Sequence, residues 1–359
     1  MADKQYYPQL NSLRGFAALS VILWHYYLVL NDDPSKIFKP YLFFMYGTGA
    51  VILFFVLSGF VLASSYQTNK GYIDYIARRI FRIYPAYYFA LLLSIMGFYF
   101  LNPAPIKWLA IGFNLWQTGA ITLSSIFNSL ILINPQYFNF FVTPSWSLTI
   151  EMIISIFFPI LLNCYKGKFK NFFAIIYILT IIILHKYKIS PFSSMIFYYS
   201  IYFVLGIMLY VNQSKLSFLA KWYLLPFYVC LYASMFFSPT LANCIHDPNL
   251  LTGIGSAGFI ILAIHHKKTE IILNYSIFNF LGKISYSCYL LHMPILLITV
   301  YLLQKHLTID KVLFLYIVTL TITILMSYIS FRFIEKPFIN IGKKMGALGY
   351  KMLVYKRAG

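Results

Sequence analysis

Long apolar runs separated by short polar connections are the dominant pattern along the chain. Ten such runs can be marked, at residues 11–30, 41–65, 81–101, 145–165, 171–185, 194–211, 222–237, 250–265, 284–304 and 312–334. A helix of about 20 apolar residues, rising about 1.5 Å per residue, crosses the hydrocarbon layer of a bilayer. The pattern therefore predicts an all-α fold, a polytopic membrane helix bundle of about ten transmembrane helices. The run 171–185 is short for a full crossing. The longest connection, 102–144, is aromatic and polar, and its apolar pieces 108–116 and 126–133 are too short to span comfortably. They are expected to lie at the interface, re-enter, or cap an opening, and a connection of this length usually serves function. A pair of short crossings here would preserve the topology, whereas a single one would invert it.

Composition agrees with the membrane reading. Of 359 residues 60% are hydrophobic and only 10% charged, where a soluble domain has about 25% charged residues. The net charge of +19 does not point to nucleic acid, because most basic residues sit between apolar runs rather than clustering on a polar face. With the N-terminus inside, 21 of the 28 Lys and Arg residues fall on the cytoplasmic side. That bias is the one the positive-inside rule expects and predicts both termini to be cytoplasmic. The four cysteines show no C-x-x-C spacing, so neither a disulfide framework nor a metal site is expected. No small-residue cleavage site follows a short apolar core, so the first span is expected to be retained. Residues 1–338 are read as one membrane domain without internal repeats, and 339–359 as a short basic cytoplasmic tail.

Ionisable residues inside the apolar runs carry the candidate chemistry. The first run holds both Arg14 and His25, although an ionisable side chain within a span costs about 2.5–3.5 kcal/mol on insertion scales. Eleven helical steps put them about 16 Å apart along the axis, so they mark two stations rather than one site. The plainer readings are a snorkelling anchor for Arg14 and a structural histidine for His25. His25 lies about five residues before the outer end of the first run and Glu151 six residues into the fourth, which enters from outside, so both are expected at about the same depth. A carboxylate beside an imidazole would orient it as a general base, so Glu151 is the expected partner of His25. At the opposite level Arg78, Arg79 and Arg82 form R-R-x-x-R. Arg78 and Arg82 share a helix face with Arg79 beside them, a set suited to bidentate phosphate binding or to anchoring on lipid headgroups. A His–Glu pair within a membrane also suits a proton-coupled transporter or flippase, the competing class, but the paired broken helices and inverted repeats of carriers are not found in the sequence. External aromatics such as Trp108, Trp116 and Tyr137 could stack on sugar rings.

These residues fall into an ordered set of motifs. Arg14 and His25 are separated by ten residues in the first run; AVILFFVLSGF spans 50–60 and RRIFRIYP spans 78–85. PSWSLTIE spans 144–151 with Ser147 and Glu151 in S-x-x-x-E, GKISYSCYLLHMPI spans 282–295, and FRFIEKPF spans 331–338. In this order and spacing the chain resembles the acyltransferase-3 family, integral-membrane O-acyltransferases of bacterial surface polysaccharides, over roughly residues 10–338. Ile52 stands where many relatives carry an aspartate. Some relatives also append a soluble hydrolase-like domain, where this chain shows only its basic tail.

The resemblance implies a multi-pass enzyme of the bacterial inner membrane. It would move an acyl group, most often acetyl, from cytoplasmic acyl-CoA to a hydroxyl of a glycan or lipid-linked glycan, with no metal. On this footing Arg14, Arg78, Arg79 and Arg82 are expected to hold the CoA phosphates and His25 to act as general base, oriented by Glu151. His292 is expected either to line the pantetheine channel or to bond a carbonyl freed by Pro294. Ser147 and Trp146 are expected to support the substrate, and a two-step route through acylated His25 or Ser147 stays open.

Overall fold

A computed structural model describes residues 7–28, 44–66, 71–103, 106, 123–132, 141–168, 172, 191–234, 248–303 and 312–358. Apart from residue 172, the run 171–185 lies outside the described residues, as do the piece 108–116 and the aromatics Trp108, Trp116 and Tyr137. The described segments are helical, in the order α1 (Pro8–Leu28), α2 (Gly47–Tyr66), α3 (Tyr72–Leu101), α4 (Leu123–Ile131), α5 (Ser145–Lys166) and α6 (Pro191–Asn212). They continue with α7 (Leu225–Tyr232), α8 (Pro248–His265), α9 (Lys267–Leu273), α10 (Ser276–Leu303), α11 (Val312–Ser330) and α12 (Lys336–Ala358).

Six described helices are long and apolar enough to cross a membrane, and α8 with α9, bent by 93° at His266, would make a seventh. The ten predicted spans are therefore not all recovered. The α1 helix carries Gln9, Asn11, Ser12, Arg14 and His25 and falls below the apolar threshold of a free-standing span. Within its described part the run 222–237 gives the eight-residue α7 after a 3₁₀ turn, and residues 235–237 lie outside the described residues. The expected tail is not separate either: α12 continues α11 and lies along the first half of α3.

Close helix contacts are made where side chains vanish. A Cβ on Gly15 of α1 would lie 2.7 Å from the backbone nitrogen of Gly282 on α10, and one on Gly282 would strike the backbone of Asn11. Gly59 of α2 and Gly206 of α6 meet in the same way, each against the other helix's backbone. Without water to drive helices together inside a bilayer, such small residues let backbones approach and gain dispersion contact. Gly59 belongs to the SGF of the second motif, so part of that motif serves packing.

Two irregularities have local causes. Between α11 and α12, Phe331–Glu335 forms one turn of π-helix, with the Lys336 N–H donating to the Phe331 carbonyl. Pro337 follows, has no N–H to give the carbonyl of Phe333, and would crowd it in a regular helix. The wider turn relieves that conflict. The second is α4, whose last carbonyls have no helical partners. Tyr84, Tyr87 and Tyr88, three and four apart on α3, donate their hydroxyls to the carbonyls of Ile131 (3.3 Å), Ser129 (2.7 Å) and Leu130 (3.1 Å). This rack ties the described part of the long connection to α3.

Gly206→Val should push α6 off α2 and lower stability by at least about 1–3 kcal/mol, as overpacking does. Thermal unfolding in detergent would show a clear fall in midpoint, whereas a Val at exposed Gly167 should leave it nearly unchanged.

Candidate active site

The α3 helix brings Arg79 to the interior because its apolar face is interrupted there, and α5 meets it with a carboxylate and a hydroxyl. Arg79 Nη2 lies 2.5 Å from Glu151 Oε1 and 3.0 Å from Ser155 Oγ, with Nε 3.2 Å from the same hydroxyl. One turn earlier on α3, the Tyr75 hydroxyl donates to the Ser155 carbonyl at 3.0 Å. The buried guanidinium is thus paired and hydrogen-bonded on one edge, the condition under which a charge can be held away from water.

This pair forms part of the wall of a cavity. Arg79, Arg82 and Ile83 line it from α3, and Arg14 from α1. Val51, Phe54, Phe55 and Ser58 line it from α2, Ser147, Leu148 and Glu151 from α5, and Ser285, Tyr286 and Tyr289 from α10. Five of the sequence motifs thus contribute apolar and polar wall. Among the described residues Arg14 and Arg82 make no hydrogen bond or ion pair, so two guanidinium groups face the cavity without a direct protein partner, although Glu151 and Glu335 lie near enough to act on both. Tyr286 is fixed by a 2.8 Å bond to the Ile83 carbonyl. Ile52, where relatives carry an aspartate, is fully buried among apolar neighbours and does not line the cavity.

Above the arginines the wall ends in a hydrogen-bonded cluster. The hydroxyls of Ser147 and Tyr289 lie 2.7 Å apart, and Ser147 also donates to the Pro144 carbonyl at 3.0 Å. One turn further along α10 stands His292, whose ring centroid is 6.1 Å from that of Tyr289. His292 Nε2 lies 3.2 Å from His25 Nδ1. Arginines, the Ser147–Tyr289 pair and the two histidines thus follow one another through the bundle, with the histidines outside the cavity wall.

Four expectations need correction. Glu151 does not partner His25 but Arg79, at the arginine level. Its depth was misplaced because α5 does not begin at a surface: Phe141, Val142 and Ser145 are all buried, so the helix starts inside the protein. Since Ser147 meets Tyr289, Glu151 one turn along α5 and His292 almost one turn the other way along α10 lie about 10 Å apart. Arg78 does not join the cluster, because Asp74 one turn earlier holds it with bonds of 2.8 and 3.0 Å. Trp146 packs on Tyr199 and Phe55 and does not line the cavity. His292 is fully buried, lines no cavity wall, and faces the Cys288 carbonyl rather than one freed by Pro294.

Sequence reasoning passed over Tyr286, Tyr289 and Glu335. Glu335, only 4% exposed, is turned inward by the π-helical turn and accepts a 3.1 Å bond from Ser287. Both tyrosines and Ser287 share the motif that holds His292, and an acid in an otherwise apolar and basic FRFIEKPF was the available signal for Glu335. Among the described residues no group of three His, Cys, Asp or Glu side chains could hold a metal ion.

Comparison with known proteins gives the chain's family. The family pattern described as an acyltransferase domain matches residues 7–328, and the chain belongs to that family, acyltransferase-3. It is 25% identical to the O-acetyltransferase OatA of Staphylococcus aureus, over 99% of this chain and 62% of that protein. It is 30% identical to the acyltransferase MdmB of Streptomyces mycarofaciens over 43% of this chain and 38% of that one. To an O-acetyl transferase of Shigella phage Sf6 it is 37% identical over 21% of this chain and 22% of that one. The chain thus aligns with less than two thirds of the length of each of these relatives. No solved structure matches. The chain is thus a member of the acyltransferase-3 family with several helices long and apolar enough to cross a membrane.

Removing one side of the Arg79–Glu151 pair leaves a buried charge alone, which typically costs about 3–5 kcal/mol. Glu151→Ala should therefore lower the unfolding midpoint markedly. Arg79→Met combined with Glu151→Met should recover much of the loss, which a double-mutant cycle by thermal unfolding would read.

Proposed function

We propose that the protein is an O-acetyltransferase that draws on cytoplasmic acyl-CoA and delivers the acyl group to a hydroxyl of a cell-surface glycan. The observation that carries this reading is the pair of uncommitted guanidinium groups, Arg14 and Arg82, beside the braced Arg79 in one cavity. Guanidinium forks match phosphate oxygens bidentately, and three of them on different faces suit a donor that carries several phosphates. The bias of Lys and Arg puts this end of the bundle on the cytoplasmic side, where acyl-CoA is found.

In this reading the arginines bind and orient the donor, and the apolar wall from Val51, Phe54 and Phe55 accepts the slender arm that carries the thioester. The arm is directed through the bundle past Ser147 and Tyr289 toward His25, about 16 Å from Arg14 along α1. His25 takes the proton from the acceptor hydroxyl as the oxygen bonds to the thioester carbonyl carbon. The carbon–sulfur bond then breaks, and the same proton passes from His25 to the departing thiolate. Glu151 serves the donor station, holding Arg79 in place rather than assisting proton transfer. General-base assistance of this kind contributes about 10²–10⁴-fold in rate.

His25→Ala should abolish measurable transfer in purified protein supplied with acyl-CoA and glycan acceptor, while donor binding and unfolding midpoint stay near wild type. Near-normal transfer in that variant would rule the role out. Arg82→Ala and Arg14→Ala should each weaken acyl-CoA binding, an effect that raised salt partly mimics. Arg78→Ala, engaged with Asp74 outside the cavity, should leave binding within about twofold of wild type, as expected for a partly exposed ion pair. Comparing the cell-surface glycan by NMR with and without the gene would identify the acceptor.

A further inference from the structure

The imidazoles of His25 and His292 meet with both Nδ1 atoms turned toward backbone carbonyls of their own helices. His25 Nδ1 is 2.9 Å from the Val21 carbonyl oxygen, and His292 Nδ1 is 3.2 Å from that of Cys288. A carbonyl oxygen only accepts, so each Nδ1 carries the hydrogen. A neutral His292 therefore presents Nε2 as a bare lone pair, and that atom is the one 3.2 Å from His25 Nδ1. The His25 N–H is shared between the Val21 carbonyl and His292 Nε2. The reverse assignment, with His292 Nε2 donating, would set lone pair against lone pair at both carbonyls. The His25 Nε2 atom is then the free acceptor of its ring, and among the described residues nothing bonds to it.

We propose that His292 is the positioning residue of the acyl transfer, a neutral acceptor that stands behind His25 where a carboxylate was expected. It holds the His25 ring so that Nε2 faces the reacting hydroxyl, and it takes a strengthened hydrogen bond from Nδ1 when His25 becomes an imidazolium. Its own orientation is built in: it is wholly buried, tied to the Cys288 carbonyl, and seated on α10, which is fixed against α1 by the Gly15–Gly282 contact. The only carboxylate lining the cavity, Glu151, is spent on Arg79 about 10 Å away. A neutral acceptor also avoids placing an extra buried charge beside the base, at the expense of weaker support for the imidazolium than an aspartate gives.

This inference rests on His25 acting as the base, and its test separates the two. His292→Met keeps the volume but removes the acceptor. In full-length protein it should lower kcat about 10- to 100-fold, the range for losing a hydrogen bond to a charged group, with KM for acyl-CoA within twofold. His292→Gln places a carbonyl oxygen near the position of Nε2 and should restore kcat to within about tenfold of wild type. In wild-type protein labelled with 15N-histidine and held in nanodiscs without substrate, both Nδ1 atoms should be protonated and both Nε2 atoms bare. Unchanged kcat in His292→Met, or a protonated His292 Nε2, would overturn the assignment while leaving His25 as base. Normal transfer by His25→Ala would overturn both.

Discussion

A positive charge within a helix bundle has to be answered by the bundle itself, and the way Arg79 is answered organises the rest of this protein. Glu151 and the Ser155 hydroxyl occupy one edge of its guanidinium, and Tyr75 ties the same turn of α5 from below. These bonds fix α3 against α5 at one depth and in one rotation. Because Arg79 is held, Arg82 one turn on must project into the same space, where Arg14 arrives from α1. Glu335, the other buried acid near this level, is engaged by Ser287 rather than by an arginine. Glu335 still lies near enough to act on Arg82 and Arg14, so three arginines stand among two acids and an anion from outside the chain would even the balance.

The upper station depends on a different constraint, the registration of α1 against α10. The helices touch at Gly15–Gly282 and again at His25–His292, ten residues later in each chain, so they run parallel and in step. The lower contact, backbone against backbone, tolerates no side chain and leaves little freedom to slide. A shift by one residue would rotate each imidazole about 100° around its axis and break the pair. Glycines ten residues away in sequence are therefore part of what holds the His25 ring. The Tyr316 hydroxyl adds a bond to the Tyr26 carbonyl, so α11 braces the same turn from the other side.

Much of this was legible in the residues. The apolar runs announced membrane helices, and the insertion cost of Arg14 and His25 drew attention to two residues that lie at the cavity wall and beside His292. What failed was the placing of helices relative to one another. Depth was reckoned from the outer end of each run, and α5 begins beneath the surface because Phe141 and Val142 are themselves packed. That single offset moved Glu151 from the histidine to the arginines. Arg78 was grouped with Arg82 by helical periodicity, but periodicity does not register that Asp74 on the same face claims it first. The tail at 339–359 looked separate because its charge is high, yet Gly342, Gly346 and Gly349 give α12 a flat side against α3. His292 was noticed and misread: its proline neighbour drew attention to backbone effects, while its partner lay 267 residues away.

The two stations do not simply adjoin. Ser147 and Tyr289 close the cavity with a direct hydroxyl contact, and both also lean on the Pro144 carbonyl. In the mechanism proposed above, an acyl donor held by the arginines would have to part these hydroxyls before its thioester reached His25. A transferase that works beside water has to keep its activated acyl group from hydrolysis, and a polar latch between donor site and base serves that end. The latch costs little to open if an entering carbonyl replaces the bond it breaks, since one hydrogen bond is then exchanged for another. The short S-x-x-x-E spacing therefore couples two duties on one face of α5. Its glutamate holds Arg79, and its serine one turn away meets the Tyr289 hydroxyl.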